Sequence, residues 1–265
     1  MARVLAAIDA SAVAGPVLDE TQLLADALGA TPDAIHVGRG DPAECIGARA
    51  GVPVRTLHGD VVSTIVREAS ADDVEAVVVG ARGLPGARHS VGHVTGRLLR
   101  RLPKLVAVVP PDHRPAKLQH VLVPLDGSIA TGSAVTGLVD TFTRHGAELV
   151  VVHVFTPETI PSTLDHTGAL ELWEEEFVRR TCPRLADARV AVCIGPPGTK
   201  IAEAARAEAT DLVVLAWRRR FTGRHGQVVL DALAHAGAPV LLVPIDTCPA
   251  RPLEVVAAAN GFGGM

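Results

Sequence analysis

The sequence contains no tyrosine and only 3% aromatic residues, and it has few lysines: Lys104, Lys117 and Lys200. So few aromatic rings argue against a stacking platform for single-stranded nucleic acid. The formal net charge is -4, whereas proteins that bind the phosphate backbone of DNA or RNA usually carry a basic surface patch. The composition therefore argues against a nucleic-acid partner.

The four cysteines are scattered and form no CxxC pair. This distribution is more typical of reduced thiols in a cytosolic protein than of a disulfide framework or a zinc site. No run of 18 apolar residues occurs, and Asp9 interrupts the first apolar segment too early for a signal peptide. We therefore expect a cytoplasmic protein with no membrane partner and no metal site of its own.

The chain contains an internal repeat. The segment VLAAIDAS near its start recurs as VLVPLDGS 117 residues later, and the same offset relates His36 to His153. Further on, Gly59 matches Gly195 at an offset of 136 residues. The second copy therefore has about nineteen extra residues between its second and third strands.

Each copy alternates strand patterns with helix patterns. In the first copy we predict helices over 17–28 and 61–69, between strands over 4–8, 34–37, 54–57, 74–79 and 105–110. Strands separated by helices imply a parallel sheet with right-handed crossovers. The sequence thus predicts an α/β fold of Rossmann type, with two tandem open parallel five-stranded sheets flanked by helices. The predicted divisions are domains 1–113 and 118–247 and a C-terminal tail over 248–265.

The segment over 77–110 is the most informative stretch of the first copy. It predicts a buried strand, a glycine-rich loop, an arginine-bearing helix and a second buried strand; the glycines are Gly80, Gly83, Gly86 and Gly92. Glycines let a backbone approach a ligand closely, and the unpaired N–H groups of a helix start attract anions. Arg82 and Arg88 lie inside the loop, where a guanidinium group can pair with phosphate oxygens.

Two aspartates and two histidines occupy repeated positions. Asp9 and Asp126 each follow a first strand, at the sheet edge where ligands bind in open parallel sheets. Capping the next helix is the alternative role for both. His36 and His153 lie within apolar strands, which is more typical of a hydrogen-bonded core residue than of a ligand-binding one. The sequence contains no HExxH or GxSxG motif, so it favours binding over catalysis.

The second copy departs from the first after its fourth strand. Its segment AWRRRFTGRHGQVV has no GxxG directly after the strand, and Trp217 stands where a small residue would admit a ligand. We therefore predict a degenerate, structural second domain. The inserted helix near 169–180 carries Leu170, Trp173 and Phe177 on one face. That face is interpreted either as packing on the sheet or as a docking surface for a partner.

The sequence resembles those of the universal stress protein family. The resemblance lies in the Asp after the first strand, the GxxG after the fourth, a later glycine leading into a helix, and the closing apolar-V-V-P strand. It covers 1–110 and 118–245, as in tandem two-domain members. The family motif is G-x2-G-x9-G-[ST]. Here Gly80 and Gly83 are followed by Gly92 after eight residues, and His93 replaces the Ser or Thr.

The resemblance implies that the first domain binds ATP or another adenine nucleotide as a sensor or switch, with Mg²⁺ accompanying the nucleotide. The implied binding residues are Ile8, Asp9, Val37, Gly80, Arg82, Gly83, Gly92, His93, Val94 and Thr95. In this family, domains pair through their last strands. The resemblance therefore implies an internal pseudo-dimer through 105–109 and 240–243, and it also implies pairing between two chains as a homodimer. The alternative is a stress protein that binds no nucleotide and acts as a protein-interaction scaffold.

Overall fold

The computed structural model describes residues 1–9, 11, 14–38, 51–81, 91–114, 117–161, 169–185 and 188–245. The first half contains β1 (Arg3–Ile8), α1 (Ala14–Leu28), β2 (Thr31–Val37), β3 (Val54–Leu57), α2 (Val61–Ala69), β4 (Val74–Gly80), α3 (His93–Arg101) and β5 (Leu105–Val109). The second half contains β6 (His120–Pro124), α4 (Ile129–Arg144), β7 (Glu148–Phe155), α5 (Ala169–Thr181), a short 3₁₀ helix (Pro183–Leu185), β8 (Arg189–Ile194), α6 (Pro197–Ala207), β9 (Leu212–Trp217), α7 (Gly223–His235) and β10 (Val240–Pro244). The predicted tail over 248–265 lies outside the described residues.

Local chemistry explains several helix boundaries. Asp60 caps α2, because its carboxylate accepts the backbone N–H of Ser63 at 2.9 Å. Ser128 caps α4 in the same way. Pro103 follows the end of α3, where a proline cannot continue the helical hydrogen bonds.

The strands form one ten-stranded sheet in the order β3-β2-β1-β4-β5-β10-β9-β6-β7-β8. Neighbours are parallel within each half, and β5 pairs with β10 in antiparallel orientation, with Val108 opposite Val240 and Ala107 opposite Leu241. The two predicted five-stranded sheets are confirmed, and they join through their last strands as the pseudo-dimer prediction requires. The fold is α/β.

Helices cover both faces of this sheet, so the molecule has three layers. The side chains of β1 alternate between the two cores, with Val4 and Ala6 on one face and Leu5 on the other. Helices α1, α4 and α5 cover the first face, and α2, α3, α6 and α7 cover the second. Both faces are thus buried, which explains the nearly continuous apolar strands.

The repeat is visible in the backbone as well as in the sequence. Gly59, just before α2, has a φ of 132°, and Gly195, just before α6, has a φ of 140°. L-residues with a side chain rarely adopt this conformation. The extra segment of the second half falls between β7 and β8, as predicted, and it contains α5.

The linker between the halves contacts a buried carboxyl group. Glu20 of α1 is 1% exposed, and its Oε2 lies 3.5 Å from Nε2 of His113. Burial raises the pKa of Glu20, against the opposing effect of His113. A carboxyl group with a raised pKa holds more protons in the folded chain. Its contribution to the free energy of unfolding therefore falls as pH rises through the window between about 4.3 and the raised pKa.

We expect Glu20→Gln to increase the free energy of unfolding by about 1 kcal/mol at pH 8, because the amide carries no charge to desolvate. At pH 5 the gain should be smaller. Urea unfolding at both pH values measures this difference, with the exposed Glu175→Gln as a control that should change neither value. An equal gain at the two pH values would contradict the assignment to Glu20 ionisation.

Candidate functional site

A cavity of about 350 Å³ opens in the first half at the carboxyl ends of β1, β2 and β4. It lies where the strand order reverses between β1 and β4, the usual ligand position in open α/β sheets. Its apolar walls come from α1, α2 and the strand ends, and they include Val17, Val61 and Ile65. Its polar groups come from Asp9 and from the start of α3.

The cavity gathers most of the binding residues that the family resemblance implies. Eight of them line it: Ile8, Asp9, Val37, Gly80, Gly92, His93, Val94 and Thr95. The other two, Arg82 and Gly83, lie outside the described residues. The structure thus brings together every implied residue that it describes, while their role in nucleotide binding stays a prediction.

Asp9 is exposed at one side of this cavity. Its Oδ1 accepts the backbone N–H of Ser11 at 3.0 Å, and also the Ser11 hydroxyl. This is the local turn that aspartate forms with the residue two positions later. Among the described residues Asp9 contacts this turn and the cavity, and its alternative role as a cap of α1 stays a prediction.

The start of α3 forms another wall of the cavity. Its N-cap residue, Gly92, supplies no side-chain cap, and no other described side chain accepts from the first N–H groups of the helix, which are of the kind that bind anions. The Thr95 hydroxyl donates to the carbonyl of Gly80 at 2.8 Å, and the N–H of Gly92 donates to the carbonyl of Ala81 at 2.7 Å. These two bonds hold the start of α3 against the end of β4, so Thr95 positions the helix.

The repeated histidines are confirmed as hydrogen-bonded core residues. Nδ1 of His36 donates to the carbonyl of Ile8 at 3.1 Å, and Nδ1 of His153 donates to the carbonyl of Leu125 at 2.8 Å. Each ring therefore fixes the strand end that precedes the repeated aspartate. Burial lowers the pKa of His153, against the opposing effects of the Leu125 carbonyl and Asp126, so its ring is neutral near pH 7.

The second half also contains a cavity, at the carboxyl ends of β6, β7 and β9, with a volume of about 450 Å³. The prediction that Trp217 stands in the way of a ligand there is wrong. Strand residues alternate between faces, so Ala216 lines the cavity while Trp217 enters the core on the other side of the sheet. The Trp217 Nε1–H donates to the carbonyl of Leu99 in α3 at 3.4 Å, which ties the two halves together.

The connections after the fourth strand of each half differ in length. Residues 218–222 connect β9 to α7, whereas the longer segment 81–92 connects β4 to α3.

The face of α5 packs against its own half, because Phe177 is 2% exposed and its ring lies 4.6 Å from the His153 ring. The sheet-packing interpretation of this helix is therefore confirmed for Phe177, whereas Trp173 is only partly buried, so a docking role for that residue stays a prediction.

Sequence reasoning missed the residues that line the second cavity. The rings of His153, Phe155, Trp173 and Phe177 form one cluster beside it. A signal was present, because all five phenylalanines and both tryptophans lie beyond residue 141. That asymmetry indicates that the second half builds a different kind of cavity from the first.

Two further searches cover only the described part of the chain. It holds no group of three or more His, Cys, Asp or Glu side chains arranged to bind a metal ion. None of its helices is long and apolar enough to cross a membrane.

Comparisons with known proteins agree with this architecture. The chain is 29% identical to universal stress protein Rv1996 of Mycobacterium tuberculosis over 223 residues, which cover 78% of this chain and 69% of that protein. A functionally unknown protein, PA1789 of Pseudomonas aeruginosa, has a similar structure, with a TM-score of 0.68, 19% identity and 92% coverage of both chains. A universal stress protein of Archaeoglobus fulgidus has a TM-score of 0.60 and 16% identity, with 92% of this chain and 97% of that chain covered.

The family model described as the universal stress protein family matches residues 41–110 and again residues 117–244. The two matches fall one in each half of the ten-stranded sheet, so both halves share the same ancestry. The chain belongs to the universal stress protein family.

Proposed function

We propose that the first half of this protein binds ATP or another adenine nucleotide, and that binding serves as a sensor or switch in a stress response. One observation carries the proposal: Asp9 and the uncapped start of α3 line the same cavity, at the reversal point of the first five strands. A hydrogen-bond acceptor and an anion-binding helix start suit the two ends of a nucleotide.

The base and sugar suit the strand side of the cavity. Val37, Val61 and Ile65 supply apolar surface. The face of an adenine ring can pack on this surface while the polar edge of the ring stays hydrogen-bonded. The Asp9 carboxylate can accept a hydrogen bond from a ribose hydroxyl or from the adenine amino group. Such bonds to an ionised acceptor are among the stronger hydrogen bonds in proteins.

The phosphates suit the start of α3. Its open N–H groups favour negative charge, and His93, exposed at the first position of the helix, can donate a further hydrogen bond. Arg82 and Gly83 belong to the same proposal through the family resemblance. Mg²⁺ would arrive with the triphosphate, because this ion is usually bound by phosphates and water with few protein ligands.

The binding would act through the surface around α3. A bound nucleotide would contact both the end of β1 and the start of α3. It would thereby change the contacts of α3, which also touches the second half through the hydrogen bond between Leu99 and Trp217. Such a change can alter the surface that a partner protein meets. The proposal includes a cytoplasmic location, where ATP is abundant, and no more than slow hydrolysis.

Isothermal titration of the purified protein with ATP tests the proposal. We expect one ATP per chain and a sub-millimolar dissociation constant, because only the first half combines Asp9 with an uncapped helix after a glycine loop. GTP in a parallel titration measures the preference for adenine. No detectable heat at millimolar ATP would overturn the proposal, and two ATP per chain would contradict its restriction to the first half.

A further inference from the structure

The second cavity differs from the first in the chemistry of its walls. Its volume of about 450 Å³ lies within the range of small-molecule sites, roughly 300 to 1,000 Å³. Among the described residues that line the first cavity, His93 has the only ring. The second cavity is lined by His153, Phe155, Trp173 and Phe177. The second half therefore has a cavity at the same place in the fold as the first half, but with an aromatic wall.

The four rings form a continuous aromatic wall, which we call the ring cluster. Trp173 stacks on Phe177 with a centroid separation of 4.7 Å and an interplanar angle of 25°. It also lies 4.8 Å from Phe155 and 5.1 Å from His153. Trp173 is only partly buried and remains accessible from the cavity. A wall of this kind favours a flat ring, because aromatic groups pack face to face or edge to face at such distances.

Two guanidinium groups and an imidazole lie at the edge of the same cavity. Arg180 extends from α5, and Arg224 and His225 belong to the first turn of α7. Among the described residues neither guanidinium has a carboxylate oxygen within 4.0 Å, although Glu158 lies near enough to Arg224 for that charge to help lower the pKa of Glu158. The N-cap of α7, Thr222, makes no side-chain cap, so the open N–H groups of the helix add to the positive edge.

The carboxylate that lines this cavity is already satisfied. Oδ1 of Asp126 accepts the Thr131 hydroxyl at 2.5 Å and the Ser128 N–H at 2.9 Å, and Oδ2 lies 3.6 Å from Nε2 of His225. Partial burial raises the pKa of Asp126, but the bonds from Thr131 and Ser128 and the nearby His225 hold it below its ordinary value. The oxygens of Asp126 are therefore hydrogen-bonded within the second half, and the charges of Arg180 and Arg224 can attract an anion.

We infer that the second cavity is a binding site for a small planar aromatic anion, with one or two rings and a single carboxylate or sulfonate. The ring would pack on Trp173 and the anion would meet Arg224 at the start of α7. A nucleoside triphosphate suits this cavity less well, because 218–222 replace the glycine loop. The inference does not depend on nucleotide binding in the first half.

The probe naphthalene-2-sulfonate tests the inference, since it is planar and combines two fused aromatic rings with one sulfonate. We expect one probe to bind per folded chain in isothermal titration. Trp173→Ala should weaken binding about ten-fold through loss of ring packing. Arg224→Ala should weaken it about five-fold through loss of one partly screened charge contact.

Each variant has a matched control. Leu172 is 70% exposed on the same helix, and Arg218 is an exposed arginine that does not line the cavity. Leu172→Ala and Arg218→Ala should change the probe affinity by less than two-fold. Arg224 is an exposed surface residue, so its variant keeps the test valid even if Trp173→Ala unfolds.

Three results would overturn the inference. The first is equal probe affinity in wild type and Arg224→Ala. The second is displacement of the probe by ATP in the wild type but not in Asp9→Ala, which would place the probe in the first cavity. The third is displacement of the probe by ATP in the Asp9→Ala background, which would make the second cavity a nucleotide site.

Discussion

Asp9→Ala is expected to weaken ATP binding by about ten- to one-hundred-fold, because a hydrogen bond to a charged acceptor is worth about 1.5–3 kcal/mol. The carboxylate is exposed in the first cavity and held in place by the Ser11 N–H. The variant leaves the apolar walls intact, so its thermal stability should stay close to that of the wild type. Isothermal titration of wild type and variant with ATP measures the change in the dissociation constant.

The internal repeat supplies the matched control. Asp126 occupies the equivalent position in the second half and lines the other cavity. Asp126→Ala should leave the ATP dissociation constant within two-fold of the wild-type value. The opposite pattern, with a loss in Asp126→Ala and none in Asp9→Ala, would move the nucleotide to the second half.

Gly132→Ala is expected to lower the free energy of unfolding by about 3 kcal/mol, at the upper end of the usual cost of overpacking. A Cβ atom at Gly132 would lie 1.8 Å from the carbonyl oxygen of Thr181. That oxygen belongs to the backbone at the end of α5, so relief requires the two helices to move apart. Urea unfolding monitored by circular dichroism measures the loss.

Gly137 lies on the same helix and is exposed, which makes it a control of opposite sign. Gly137→Ala should raise the free energy of unfolding by up to about 1 kcal/mol, because alanine favours an exposed helix interior over glycine. Equal unfolding midpoints for Gly132→Ala and the wild type would show that α4 and α5 do not approach each other at this position.

The sequence predicted the strands of the first half well because their patterns are local. The apolar run before Gly80 can only be a strand that is covered on both faces, and β4 forms as expected. The repeat extended these predictions to the second half. The joining of the two sheets required the family resemblance, because nothing local in Leu241 specifies Ala107 as its partner across the sheet.

The interpretation of Trp217 failed because it treated the position after a strand as a position facing the ligand. Trp217 is the last residue of β9, and it corresponds to Ala81 when Ala216 is matched to Gly80. Ala81 and Trp217 lie in the same core on the far side of the sheet. Side chains alternate along a strand, so an error of one residue moves a ring from the cavity to the core.

The aromatic wall of the second cavity could not be assembled from the sequence alone. Trp173 lies in an insertion that has no counterpart in the first half, so the repeat offers no guide to its contact with His153. The periodicity of α5 indicates that Trp173 and Phe177 share a face, but not which strand that face meets. Their contact with β7 depends on the close approach of α4 and α5 at Gly132.

A crystal structure of the protein grown with a non-hydrolysable ATP analogue tests the central claim most directly. We predict that the adenine and ribose lie between Val37 and Asp9, with the phosphates at the N–H groups of His93 and Val94. Density for the analogue in the second cavity, or an empty first cavity at a saturating concentration of the analogue, would contradict it.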